Sequence, residues 1–192
     1  GDSQQDAYTD RELVGAATIT SAVSRKTHDA AGPFDINLPL TGTAGIECRT
    51  TGGTNDYTMV VTFSGNVTVT GSPQAQVTLG TGCVGTGGAC TGNVTVSGNV
   101  VTIPLTNVAN AQTINVTLNS VNGSTNVTIP MSVLVGDVNG NGAVNASDVA
   151  LTKSLFAQPV AAATFRSDVT ANGSVDASDV ALVKSLAGTG LP

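Results

Sequence analysis

Two glycine-containing stretches near the end of the chain carry the residues best suited to bind a metal ion. Residues 136–155 read GDVNGNGAVNASDVALTKSL and residues 167–186 read SDVTANGSVDASDVALVKSL, with fourteen of twenty aligned residues identical. From Tyr57 to Gly136 the chain has no Asp, Glu, Lys, Arg or His. Acids that recur at one spacing, in a chain so poor in charge, indicate a repeated ion site.

The spacing predicts two calcium loops, loop 1 at 137–148 and loop 2 at 168–179. Calcium takes six to eight oxygen ligands, and glycine at the sixth position of such a loop allows a sharp turn. Side-chain oxygens at positions 1, 3, 5, 9 and 12 and a backbone carbonyl at position 7 would supply the ligands. We therefore predict two Ca2+ ions. The predicted ligands are Asp137, Asn139, Asn141, Ala143, Asn145 and Asp148 in loop 1, and Asp168, Thr170, Asn172, Ser174, Asp176 and Asp179 in loop 2.

Each loop leads into a short helix with a repeated apolar stripe, and the pair resembles the type I dockerin module. The resemblance covers residues 136–188 and implies two loop–helix halves related by a near two-fold axis. It also implies a cohesin as partner, contacted through the tenth and eleventh loop residues and a basic residue on the helix. Those positions are Ala146, Ser147 and Lys153, and Ala177, Ser178 and Lys184.

Two departures from the dockerin pattern predict weak calcium sites and a fixed joint between the dockerin-like domain and the preceding part of the chain. Position 5 is Asn in both loops and position 3 of loop 2 is Thr170. Fewer carboxylates lower calcium affinity, which suits calcium-rich extracellular conditions. In addition, MSVLVGDVNG runs from a strand directly into loop 1 without a flexible linker.

The rest of the chain predicts a mainly β fold. Short Val- and Thr-rich runs, with period-two alternation at 57–63 and 127–135, are separated by Gly, Asn and Pro about every ten residues. This spacing predicts an antiparallel β-sandwich, immunoglobulin-like or cohesin-like, followed by a small α-helical dockerin-like domain with two calcium loops. The predicted division is an N-terminal segment at 1–24, the sandwich at 25–135 and the dockerin-like domain at 136–192.

Composition and the cysteines limit the possible partners and the location of the protein. A net charge of −6 and a pI near 4.3 argue against nucleic acid as a partner, and the lack of a long apolar run argues against membrane insertion. Cys83 and Cys90 bracket VGTGGA, which predicts a disulfide and an oxidising, extracellular or bacterial cell-surface location, with a reduced pair as the alternative. Cys48 is then expected to be a buried thiol.

We expect no enzymatic activity. No recognised catalytic motif is present, and His28, within SRKTH, reads as a polar strand end or loop. Two functions remain. The first is a structural subunit that assembles with itself into a surface layer or filament, with residues 13–24 added as a strand to a neighbour's sheet. The uncharged residues 57–136 and the fixed joint favour this function. The alternative is a module that docks onto a cohesin-like surface protein.

Overall fold

The chain folds into two β-sheets followed by two short helices. A computed structural model describes residues 17–50 and 55–192. No helix in this part of the chain has the length and apolarity needed to cross a membrane. The elements are β1 Ile19–Thr27, β2 Pro33–Asn37, β3 Ile46–Glu47, β4 Tyr57–Phe63, β5 Ala75–Leu79, β6 Cys83–Val84, β7 Thr95–Ser97, β8 Val100–Thr106, β9 Gln112–Val121, β10 Thr125–Val133, α1 Ala146–Ser154 and α2 Ala177–Leu186.

The sheets are antiparallel except at one edge. The first sheet has the order β2-β1-β4-β8-β6, with β7 also paired to β8, and the second has the order β3-β10-β9-β5. β3 pairs with β10 in parallel, with Ile46 opposite Ser132 and Glu47 opposite Val133. The prediction of a wholly antiparallel sandwich is therefore wrong at this edge. The chain crosses there from β2, at the edge of the first sheet, to the edge of the second.

The core lies between the sheets and is built from aliphatic side chains. The buried face predicted for residues 57–63 is confirmed in β4, since Tyr57, Met59, Val61 and Phe63 are all buried, although Val60 on the other face is buried as well. Side chains at alternate positions of a strand point to the same face, so one face of β4 meets the opposite sheet. Its partners in the core include Ile103, Leu105, Ile114, Val116, Leu118, Ile129, Met131 and Val133.

The N-terminal strand pairs within its own chain. The described part of the predicted strand at 13–24 belongs to β1, which lies between β2 and β4. Exchange of this segment with a neighbour stays a prediction, and residues 1–16 lie outside the described part of the chain.

The predicted disulfide is present, with 2.03 Å between the sulfurs of Cys83 and Cys90. Cys48 is a buried free thiol, as expected.

Candidate calcium site and its joint with the sandwich

Both helices begin at a capping box that the loops supply. Asn145 caps α1: its side-chain oxygen accepts from the Ser147 N–H (2.8 Å), and the Asp148 carboxylate accepts from the Asn145 N–H (2.9 Å). Asp176 and Asp179 do the same for α2. These bonds satisfy N–H groups that the start of a helix leaves without partners. The ligand role of Asn145 and Asp176 stays a prediction.

Loop 1 is wound around the side chain of its first residue. The Asp137 carboxylate accepts from the backbone N–H groups of residues 140–142 at 2.9–3.0 Å. The other end of the loop joins this arrangement, because Asp148 accepts from the Asn139 N–H at 3.2 Å. Gly142 has φ of +85°, a left-handed conformation that glycine adopts without steric cost. The loop thus closes on itself with both acids turned inward.

Loop 2 repeats this arrangement. The Asp168 carboxylate accepts from the N–H groups of Asn172 (3.1 Å) and Gly173 (2.9 Å). Asp179 accepts from both the N–H and the hydroxyl of Thr170, each at 3.0 Å. The side chain at position 3, where the sequence departs from the dockerin pattern, is therefore directed to the closing acid of the loop.

The acids at the two ends of each loop are fully buried. Asp137, Asp148, Asp168 and Asp179 all have 0 % exposure. Burial raises the pKa of Asp179, and the negative charge of Asp168 raises it further, against hydrogen bonds that lower it. Buried carboxylates that repel each other are stabilised by a cation bound between them. The chemistry of the residues present therefore fits Ca2+.

Acidic side chains alone are too few to coordinate calcium in either loop. Within residues 17–50 and 55–192, no three His, Cys, Asp or Glu side chains gather into a metal-binding group. Loop 1 offers two carboxylates and loop 2 offers three, so amide, hydroxyl and carbonyl oxygens have to complete the coordination. The Asn139 and Asn141 side-chain oxygens each accept one N–H, and an amide oxygen has a second lone pair.

A known family covers this part of the molecule. Residues 135–186 match the family model of the dockerin type I domain. This dockerin segment is a little over a quarter of the chain, and its limits agree closely with the predicted 136–188. Dockerin domains in general bind calcium and dock onto cohesins of partner proteins. No curated protein matches the chain, and no solved structure does either.

The residues predicted to contact a partner remain open to solvent. All six are exposed, and three of them, one from α1 and two from α2, line a single groove of about 530 Å³. Phe156, which is 51 % exposed, forms part of the same groove. The groove is lined by Lys153, Phe156, Ala177, Val180, Ala181 and Lys184.

The opposite side of the dockerin segment packs against the sandwich. Leu182 and Leu186 contact the large core of the sandwich as well as a second, smaller core. Backbone bonds cross the joint from the Thr50 N–H to the Val169 carbonyl (2.6 Å) and from the Gly136 N–H to the Cys48 carbonyl (2.9 Å). The second core joins the two parts and contains Ile46, Leu134, Val138, Val144, Val169 and Val183.

A second set of cross-joint contacts involves Phe165 and Arg166, just before loop 2. The Phe165 ring stacks on Phe34 at 5.3 Å between centroids. The Arg166 side chain donates across the joint to the Ile46 carbonyl (3.3 Å) and, within the dockerin segment, to the carbonyls of Asp137 (2.9 Å) and Val138 (2.8 Å). These contacts are consistent with the predicted fixed joint.

A series of hydrogen bonds between buried polar side chains also crosses the joint. Arg49 donates to the Glu47 carboxylate through two nitrogens at 2.8 Å and to the His28 ring at 3.0 Å. The His28 ring bonds in turn to the Asp168 carboxylate at 2.8 Å. All four residues are fully buried. His28 does follow a strand, as predicted, but it is an interior residue of the joint.

Sequence reasoning missed this chain of residues. Glu47 and Arg49 are two positions apart, a spacing that places both side chains on one face of an extended segment, and this was a usable signal for an ion pair. Nothing local to His28 indicates Asp168, because the two residues are 140 positions apart.

Proposed function

We propose that this chain is a non-catalytic, calcium-stabilised docking module of an extracellular bacterial protein. The observation that carries the proposal is the match of residues 135–186 to the dockerin type I domain. It favours binding to a cohesin-like partner over the self-assembly that the sequence analysis placed first. No comparison supports a filament, and residues 19–24 of the segment thought to mediate exchange belong to β1, which pairs with β2 and β4 of its own chain.

Two ions are proposed, one in each loop. The support is that each loop turns a fully buried acid inward from both of its ends and carries amide or hydroxyl side chains at positions 3 and 5. Calcium bound only by the native state would then stabilise the dockerin segment, whose own core is small. The closing acid of each loop also accepts from the backbone N–H of the residue that caps the following helix. Calcium bound in both loops would therefore order the start of both helices.

The proposed partner surface is the groove between α1 and α2. Its lining includes the exposed ring of Phe156 and the side chains of Lys153 and Lys184. Buried aromatic anchors supply most of the affinity of many interfaces, while charges at the rim guide association. A cohesin-like partner would therefore present an apolar projection flanked by carboxylates.

No catalytic role is proposed for His28. Both of its ring nitrogens are hydrogen-bonded within the interior, one to Asp168 and one to Arg49. A general base has to reach the proton that it removes, and this ring has 0 % exposure.

Binding to a panel of immobilised cohesins tests the proposal. The wild-type chain is expected to bind at least one cohesin with calcium and to lose binding in EGTA. F156A is expected to weaken binding at least tenfold, as for a buried aromatic anchor. L79A is the matched control, because Leu79 is 55 % exposed on β5, away from the groove.

The contrary results are equally definite. Absence of binding to every cohesin, or equal loss in F156A and L79A, would contradict the proposed surface. Growth of filaments at rising protein concentration in calcium, measured by light scattering, would instead favour self-assembly.

A further inference from the structure

The two loops hold their first acid differently. In loop 1 the N–H at position 4, from Gly140, donates to the Asp137 carboxylate at 2.9 Å. In loop 2 the equivalent N–H, from Ala171, donates to the backbone carbonyl of Asp168 at 3.2 Å. The carboxylate of Asp168 receives a bond from the His28 ring of the sandwich instead.

The bonding partners of the His28 ring fix its role. An arginine side chain can only donate, so the nitrogen that faces Arg49, Nε2, has to accept. The proton of the neutral ring is then on Nδ1, which donates to Asp168 Oδ2 at 2.8 Å. Arg49 is itself paired with Glu47. The negative charge of Asp168 therefore remains to be balanced by an ion.

The bond to His28 also determines which oxygen of Asp168 remains for the ion. Oδ2 accepts from both His28 Nδ1 and the Gly173 N–H, and a carboxylate oxygen has two lone pairs. Oδ1 accepts the Asn172 N–H at 3.1 Å, while the Thr170 hydroxyl lies closer to Asp179. Oδ1 is therefore the oxygen with capacity left to bind a cation.

Close packing supports the same asymmetry. A Cβ atom added to Gly173 would lie 3.0 Å from the His28 carbonyl oxygen, whereas one added to Gly142 would meet nothing within 4 Å. The sixth residue of loop 2 is thus in contact with the sandwich, and the sixth residue of loop 1 is free of it. The rings of Phe34 and Phe165 lie edge-on to the His28 ring, at 5.3 and 6.1 Å between centroids.

We propose that His28 is a positioning residue for calcium in loop 2, so that ion binding there is coupled to the sandwich. The inference rests on the proposed calcium binding of the dockerin segment. Groups that orient a metal ligand commonly change metal affinity by about 10–100-fold when they are removed. Because coupling is reciprocal, calcium in loop 2 should also strengthen the contact between the sandwich and the dockerin segment.

The test follows each loop separately in the full chain. The Gly142 and Gly173 N–H groups each donate to the first acid of their loop at 2.9 Å, so their resonances in 15N-labelled protein report on loops 1 and 2. On calcium titration, H28A should move the Gly173 midpoint to about 10–100-fold higher calcium. The Gly142 midpoint should stay where it is in the wild type.

Matched variants separate positioning from packing. H28N loses the ring and the acceptor for Arg49, as H28A does, but its amide can still donate to Asp168. It should retain most of the loop 2 affinity. L182A removes an apolar contact of the joint but neither partner of the His28–Asp168 bond, so it should shift the Gly173 midpoint much less than H28A does. Equal loss in H28A and H28N, or a parallel shift of both glycines, would overturn the proposal.

A measurement on the wild-type protein tests the proposal even if the variants fail to fold. The ring nitrogens of His28 should show the Nδ1-protonated neutral form, and their shifts should follow the Gly173 titration. Ring shifts that follow Gly142, or that ignore calcium, would refute the inference. Failure of the proposed function looks different, because neither glycine would then respond to calcium.

Discussion

Arg49 offers the sharpest test of how the joint is stabilised. Its guanidinium is fully buried and meets the Glu47 carboxylate through two hydrogen bonds of 2.8 Å. It also donates to the backbone carbonyls of Phe34 and Ser24 and to the His28 ring. R49M removes the charge while keeping a long apolar side chain. It leaves Glu47 as a buried acid without its hydrogen-bonded counter-charge.

The magnitude follows from this burial. Removing one partner of a buried ion pair typically costs about 3–5 kcal/mol, because the remaining charge is left in an apolar interior. We expect R49M to lower the free energy of unfolding by that amount in urea titrations at saturating calcium, followed by circular dichroism. The double variant E47M/R49M removes both charges and should recover much of the loss.

Arg25, on β1 of the first sheet, provides an exposed ion pair as a matched control. It also bonds to a carboxylate, Asp35, through two nitrogens, but the side chains are 46 % and 35 % exposed. R25M should cost about 1 kcal/mol or less, since water solvates the remaining charge. If R49M costs no more than R25M, or if E47M/R49M is worse than R49M alone, the reasoning is refuted.

Three further predictions concern calcium, acid and the buried thiol. EGTA should lower the melting temperature by about 5–10 °C for each site that was at hundredfold saturation, and an unchanged melt would contradict calcium binding. Burial opposes ionisation of Glu47, but the Arg49 charge and the hydrogen bonds from Arg49 and Ser24 outweigh it and hold its pKa below the usual range. Its stabilisation should be complete above the ordinary Glu pKa of about 4.3 and disappear as pH falls through the lower folded value, so stability should decline less on acidification in E47M/R49M than in the wild type. Burial raises the pKa of the Cys48 thiol to about 12. Alkylation by iodoacetamide at pH 8 should therefore be at least about a thousandfold slower in the folded protein than in urea, and comparable rates would place Cys48 at the surface.

The parts of the fold that repeat or alternate were predictable. β4 and β10 show period-two patterns because one face of each lies on the core, and both were expected as strands. The duplicated segment could be located, since the predicted 136–188 agrees with the family match at 135–186, while calcium binding by the individual loop residues stays a prediction. Local sequence is enough wherever the cause of the structure is local.

The individual contacts across the joint could not be predicted because their causes are not local. The parallel pairing of β3 depends on where the chain crosses between sheets, and β3 is only two residues long. The bond between His28 and Asp168 needs both the sandwich and loop 2 to be in place. A histidine and an aspartate so far apart in sequence give no periodic signal. Their contact is seen only in the folded structure, where both are buried at the joint.

The direct passage from β10 into loop 1 has a mechanical consequence. Part of a pull from a bound partner would reach the sandwich through β10, because only three residues lie between Val133 and Asp137, and the other contacts across the joint would carry the rest. β10 is held by β9 on one side and β3 on the other. Inter-strand hydrogen bonds run across the strand axis. Under that load the bonds on both sides would be sheared together, so tension would be shared along the strand.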